Sequence, residues 1–198
     1  MQLPKLTEKT FSILVVLYLI VFTVASLLVS LNRFRQFDVF YYNHGVFDQS
    51  LWQVSRFKPP MFDHLEDGFI NQLGDHWNPV LYILSPLYWL TNAYEAIFYV
   101  QNFCVFLSAF LLFLLAKKNI ANKLMAFALI FAYSGFIGLQ NFLIAGFHPE
   151  FLALVTLALA LYGLDSQKYS LYWIGLILTL QLKETFALIA LGLAMYAF

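Results

Sequence analysis

FSILVVLYLIVFTVASLLVSL, residues Phe11 to Leu31, runs for 21 positions without a charged side chain. A helix rises about 1.5 Å per residue, so this stretch covers the roughly 30 Å of hydrocarbon in a bilayer. A secretory signal would have an apolar core of only about 7–15 residues followed by a small-residue cleavage site. The segment fits neither feature, and a retained membrane helix is expected. Two further charge-free windows, Ala96–Ala116 and Leu124–Phe147, are at least as long. Three later runs, Phe151–Leu164, Tyr169–Leu182 and Thr185–Phe198, have 14 residues each, or roughly 21 Å of helix. They are expected as short helices extended by polar flanks, or as half-spans beside a wet cavity. The fold class that follows is an all-α integral membrane protein of about six spans or half-spans, with residues 1–198 as one multi-span domain.

Composition supports this reading. The chain is 62% hydrophobic, 19% aromatic and 11% charged, whereas soluble domains carry about 25% charged residues. The formal net charge is zero, so the basic footprint of a nucleic-acid binder is missing. The single cysteine, Cys104, lies in an apolar run and can form neither an internal disulfide nor a cysteine-based metal site.

The first loop, Asn32–Asn78, holds six of the eleven acids and three of the four histidines. Within it, Gly45–Arg56 reads as an amphipathic interfacial helix with Phe47, Leu51 and Val54 on one side. Asp48 falls near its start, where a carboxylate complements the helix N-terminus. Pro59-Pro60 ends the helix, and Asp63-His64-Leu65-Glu66-Asp67 reads as a solvated acidic turn. Trp77–Tyr94 is a short helix interrupted by Pro79 and Pro86, with Tyr82, Tyr88, Trp89 and Tyr94 as interface anchors.

Lysines Lys5, Lys9, Lys117, Lys118, Lys123 and Lys168 fall on one side if spans alternate. Positive loops favour the cytoplasm, so the N-terminus is expected inside and all four histidines outside. Arg33 and Arg35 oppose this assignment unless acids of the outer loop neutralise them.

Candidate chemistry gathers on the outer side. Asp75 and His76 stand where the chain re-enters the membrane, and His148 and Glu150 bracket Pro149 at a later turn. Bland and functional readings stand together here: helix-capping polar groups, or phosphate donors and metal ligands (Asp75, His76, His148) for a divalent ion. No spacing among them is diagnostic of a metal. Lys183-Glu184 interrupts two 14-residue apolar runs, where an ionisable group costs roughly 2.5–3.5 kcal/mol at mid-membrane. The pair is either a polar break between two helices or part of a substrate site, with Lys183 suited to an anionic phosphate and Glu184 to a partner or base.

Several stretches, in order, resemble one family. Asn43-His44-Gly45-Val46-Phe47-Asp48-Gln49-Ser50-Leu51-Trp52 resembles its signature DLGIFDQALW. Leu73–Leu81 resembles GDHFSPIL, Pro86-Leu87-Tyr88 resembles PLY, Phe147–Glu150 resembles FHPE, and Lys183-Glu184 resembles KE. The family is DUF2079, predicted membrane proteins similar to the GT-C glycosyltransferases. The resemblance implies an outer-face site that takes a sugar from a polyprenyl phosphate, in a prokaryotic plasma membrane. Asp48, with Asp38 as substitute, is the expected catalytic base; His76, His148, Glu150, Lys183 and Glu184 are expected to bind substrate, with or without a divalent cation. Asn43 replaces the first acid of the signature. GT-C enzymes are also much longer, so the chain is expected to be the N-terminal part of a longer protein. The rival readings are a non-catalytic transporter or lipid-binding protein, whose ionisable residues would spread through several spans, and an inactive fragment.

Overall fold

A computed structural model describes residues 7–64, 68–91 and 93–197. Among these, α1 (Glu8–Arg35) is 28 residues long, opened by the Thr7 side chain accepting from the Thr10 amide at 3.1 Å. Glu8 in its first turn and Arg33 and Arg35 in its last complement the helix dipole. With α6 (Ala96–Asn119) it is one of two helices among the described residues that are each long and apolar enough to cross a membrane. The two pack through Phe11, Val15 and Leu19 against Ala109, Phe113 and Ala116.

The expected span Leu124–Phe147 is not one helix. It is divided into α7 (Lys123–Ser134) and α8 (Ile137–Ile144), bent by 40° at the break. The cause is the Ser134-Gly135 pair, a recurrent kink site. The Gln140 side chain donates to the freed carbonyl of Ser134, and the Ser134 hydroxyl hydrogen-bonds Tyr18 of α1. No charge marks the interruption because side chains of neighbouring turns satisfy it.

The shorter helices are α9 (Phe151–Asp165), α10 (Tyr169–Thr179) and α11 (Phe186–Ala197). Helices α9 and α10 form a tight antiparallel pair. A Cβ at Gly163 would lie 2.4 Å from the Tyr172 amide nitrogen, and one at Gly175 2.5 Å from the Thr156 carbonyl oxygen. Small residues let helix backbones approach in lipid, where hydrophobicity alone does not drive association. Thr179 donates to Thr156 at 2.8 Å across the same seam.

The first loop is more structured than a single interfacial helix. Helix α2 (Tyr41–Ser55) starts four residues earlier than expected and buries Phe47, Leu51 and Val54, as the periodicity requires. Asp48 therefore sits mid-helix rather than in a first turn, which removes the capping reading of that residue. A two-stranded hairpin follows, β1 (Met61–His64) antiparallel to β2 (Gly68–Asn71), with Phe62 opposite Ile70. Residues 65–67 of the acidic turn lie outside the described residues. Helix α3 (Gln72–Asp75) completes the loop, and the Pro-interrupted Trp77–Tyr94 stretch beyond it holds two short helices, α4 (Val80–Leu84) and α5 (Leu87–Leu90). Of the expected anchors Tyr82, Trp89 and Tyr94 are exposed, whereas Tyr88 is buried against α2.

The chain alternates between two ends. At one, Glu8 pairs with Lys123 at 2.7 Å and Lys118 with Asp165 at 2.8 Å. At the other, Arg33 pairs with Asp38 at 3.2 Å and Arg35 with Glu95 at 2.8 Å. Arg33 and Arg35 are thus both paired, Arg35 with an acid beyond the first loop.

Candidate functional site

At the second end a polar cavity of about 280 Å³ is enclosed by three separate parts of the chain. Helix α2 supplies Tyr42, Asn43, Val46 and Phe47; the hairpin and α3 supply Phe62, Gln72 and Asp75, followed by His76. The turns after α8 and α10 supply His148 and Glu150, and Lys183.

Each turn is held by backbone geometry. Gly146 has φ +121°, a conformation glycine adopts without strain, and lets the α8 turn run back beside Phe40. The Phe40 amide donates to the Ala145 carbonyl at 3.0 Å, tying the start of α2 to this turn. His148 is then stacked on Phe142 at 5.3 Å, with its Nε2 3.5 Å from the Asn43 amide nitrogen. Burial lowers the His148 pKa, Glu150 acts to raise it and Lys183 lowers it further.

The turn Leu180–Thr185 is clasped to the start of the α4 region. The Val80 amide donates to the Gln181 carbonyl at 3.1 Å, and the Trp77 indole to the Leu180 carbonyl at 3.1 Å. Glu184 accepts from the Trp77 amide at 3.2 Å and contacts His76 Nδ1 at 3.2 Å. Hydrogen bonds from its own and the Trp77 amides, with His76 beside it, hold Glu184 below the usual carboxylate range. Val80, Ala153 and Leu182 pack together beneath. Lys183 is thereby aimed at the cavity, its Nζ 3.3 Å from Glu150 Oε1.

His76, His148, Glu150 and Lys183 thus share one cavity, far apart though they stand in the chain. Glu184 adjoins it through His76. Asp48 and Asp38 do not line it. Asp48 is half-buried on α2 and accepts a hydrogen bond from the Tyr88 hydroxyl. Burial raises its pKa while Tyr88 lowers it; burial, then Asp48, drives the Tyr88 phenol far above its ordinary value. Asp38 is exposed and engaged with Arg33. Asp75, His76 and His148 reach the cavity wall without converging: among the described residues no three His, Cys, Asp or Glu side chains could hold a metal ion. Gln72 was not visible as a site residue in the sequence, because a glutamine between a hairpin and a Gly-Asp-His stretch carries no periodic signal.

An all-helical bundle with apolar spans and a polar cavity at one end defines a multi-helix membrane protein. A profile of the family described as predicted membrane protein (DUF2079) matches residues 33–198, and the chain belongs to that family. No curated protein and no solved structure matches it.

Proposed function

We infer that the cavity is the donor site of a membrane glycosyltransferase that takes a sugar from a polyprenyl phosphate. The observation that supports this reading is that Lys183, His76 and His148 line one cavity with the carboxylates Asp75 and Glu150 at one end of the bundle. An ammonium and imidazole N–H groups are suited to the leaving phosphate as negative charge develops on it. The end that carries Lys117, Lys118, Lys123 and Lys168 is read as cytoplasmic by the positive-inside rule, and the cavity then opens on the outer face.

In the reaction, the acceptor hydroxyl oxygen forms a bond to the anomeric carbon while the bond from that carbon to the phosphate oxygen breaks. The phosphate leaves with the bonding pair, and the hydroxyl proton passes to a carboxylate. A general base needs hydrogen-bond reach to that proton. Asp75 lines the cavity and has the first claim; Asp48 would have to exchange its bond to Tyr88. No step requires a resident metal.

The test is transfer of radiolabelled sugar from a polyprenyl phosphate by membranes that contain the full protein. Lys183→Gln and Asp75→Asn should each lower transfer by about 100-fold or more, with insertion unchanged. Loss on Asp48→Asn with Asp75→Asn intact would move the base to Asp48. Absence of both binding and transfer in the unaltered protein would remove the reading.

A further inference from the structure

The charges and free acceptors of the cavity say which part of such a ligand it holds. The ammonium of Lys183 is engaged by Glu150, and a second carboxylate, Asp75, stands on the wall. Counting formal charges, one cation faces two anions. Burial also disfavours a positive charge on His148. The cavity therefore offers a bare phosphate one ammonium that a carboxylate already engages.

It is well matched to hydrogen-bond donors. Gln72 is 1% exposed, lines the cavity, and its Oε1 has no hydrogen-bond partner among the described residues. Glu150 Oε2 is likewise buried and without a partner, its other oxygen being turned to Lys183. A buried acceptor that lacks a donor is costly, and an arriving donor relieves that cost. The two acceptors belong to residues that line one cavity, from α3 and from the α8–α9 turn, and a turn of each side chain toward the cavity would offer them to hydroxyls of one ligand.

We propose that the cavity is a hydroxyl-recognition pocket in which Gln72 Oε1 and Glu150 Oε2 accept from sugar hydroxyls, and that Gln72 sets the preference for a sugar-bearing lipid over the bare phosphate. The inference rests on the donor-site reading and deepens it. The phosphate lies by Lys183, and the neutral polyol reaches Gln72 and Glu150. Sites that hydrogen-bond a substrate hydroxyl reject analogues lacking it far more strongly than apolar pockets do.

The experiment measures binding of farnesyl phosphate and of its glucose, mannose and N-acetylglucosamine derivatives to the full chain in detergent, by native mass spectrometry. The unaltered protein should bind at least one glycosylated form about tenfold or more tighter than farnesyl phosphate. Gln72→Met, close in shape but lacking the acceptor, should bring the two within about twofold, and Gln72→Glu, which restores it, should recover the preference. Glu150→Gln frees the Lys183 ammonium, so bare farnesyl phosphate should bind tighter while the preference falls; this variant decides the matter if Gln72→Met does not fold. Equal affinity for all forms in the unaltered protein would overturn the hydroxyl assignment and leave the donor-site reading standing. An equal loss for every lipid in Gln72→Met, unrelieved in Gln72→Glu, would make Gln72 structural and overturn its role. If no form, bare or glycosylated, binds at all, the donor-site reading falls first.

Discussion

Asp48 and Glu150 are both half-buried carboxylates in family-like motifs, yet the fold uses them differently. Asp48 is closed off by the Tyr88 hydroxyl inside the packing of α2 on α5. Glu150 lines the cavity, with one oxygen on Lys183 and the other buried without a partner among the described residues. One acid ties two interfacial helices together, and the other belongs to a chemical surface. The difference teaches that residue type and motif membership do not decide the role of an ionisable group. What decides it is the partner that the rest of the fold brings to the carboxylate, a phenol for Asp48 and an ammonium in a cavity wall for Glu150.

Perturbing the two pairs should separate them, with the largest effect at the cavity. Lys183→Gln leaves the Glu150 carboxylate without its cation. Breaking a fully buried pair costs roughly 3–5 kcal/mol, but these side chains are 25% and 22% exposed. Solvent screening reduces the expected loss to about 1–2 kcal/mol. Thermal unfolding in detergent should show it, and the Lys183→Gln, Glu150→Gln double variant should regain most of it. A double variant as unstable as the sum of the single ones would mean that the two residues are not coupled.

At the closed pair the effect should be smaller and confined to stability. Tyr88→Phe removes the donor to Asp48 and should cost about 1–1.5 kcal/mol, with affinity for polyprenyl-phosphate lipids unchanged. If affinity falls at least as far as it does in Lys183→Gln, the contrast between the two acids breaks.

The smallest effect sharpens the contrast from within α2. His44 is 4% exposed, packs against the rings of Phe34 and Phe98, and burial lowers its pKa to about 4 from 6.5. The unfolded chain therefore binds a proton near pH 6.5 that the folded chain refuses. Stability is full above that pH and declines as pH falls toward 4. Between pH 7.5 and 6 the loss should be about 0.8 kcal/mol, and His44→Phe should abolish it. A pH profile identical in the two proteins would sink the assignment.

Much of the bundle was legible in the sequence because desolvation of charge is so costly that charge-free windows mark helices reliably. Phe11–Leu31 and Ala96–Ala116 fall inside α1 and α6 on that ground. The Ser134-Gly135 break left no such mark, since its polar groups are neutral and satisfied by Tyr18 and Gln140. The start of α2 at Tyr41 was hidden because Asn43 and Gly45 are poor helix formers, overruled here by packing against Phe34 and Phe98. Lys183-Glu184 stood out by the cost of its position, and the structure puts it in a turn whose neighbours include His76 and Glu150. The direction in which Asp48 points, and the unpaired oxygen of Gln72, were illegible, because both depend on elements far away in the chain.

The seam at Gly175 reaches further than its own packing. The α10 backbone runs from that contact directly into the turn that carries Lys183, and the opposite side of the seam, α9, begins one residue after Glu150. A wedge driven between the helices there would act as a lever on both members of the ion pair at once. The spacing between ammonium and carboxylate is thus calibrated by a hydrogen atom standing where a methyl group would not fit.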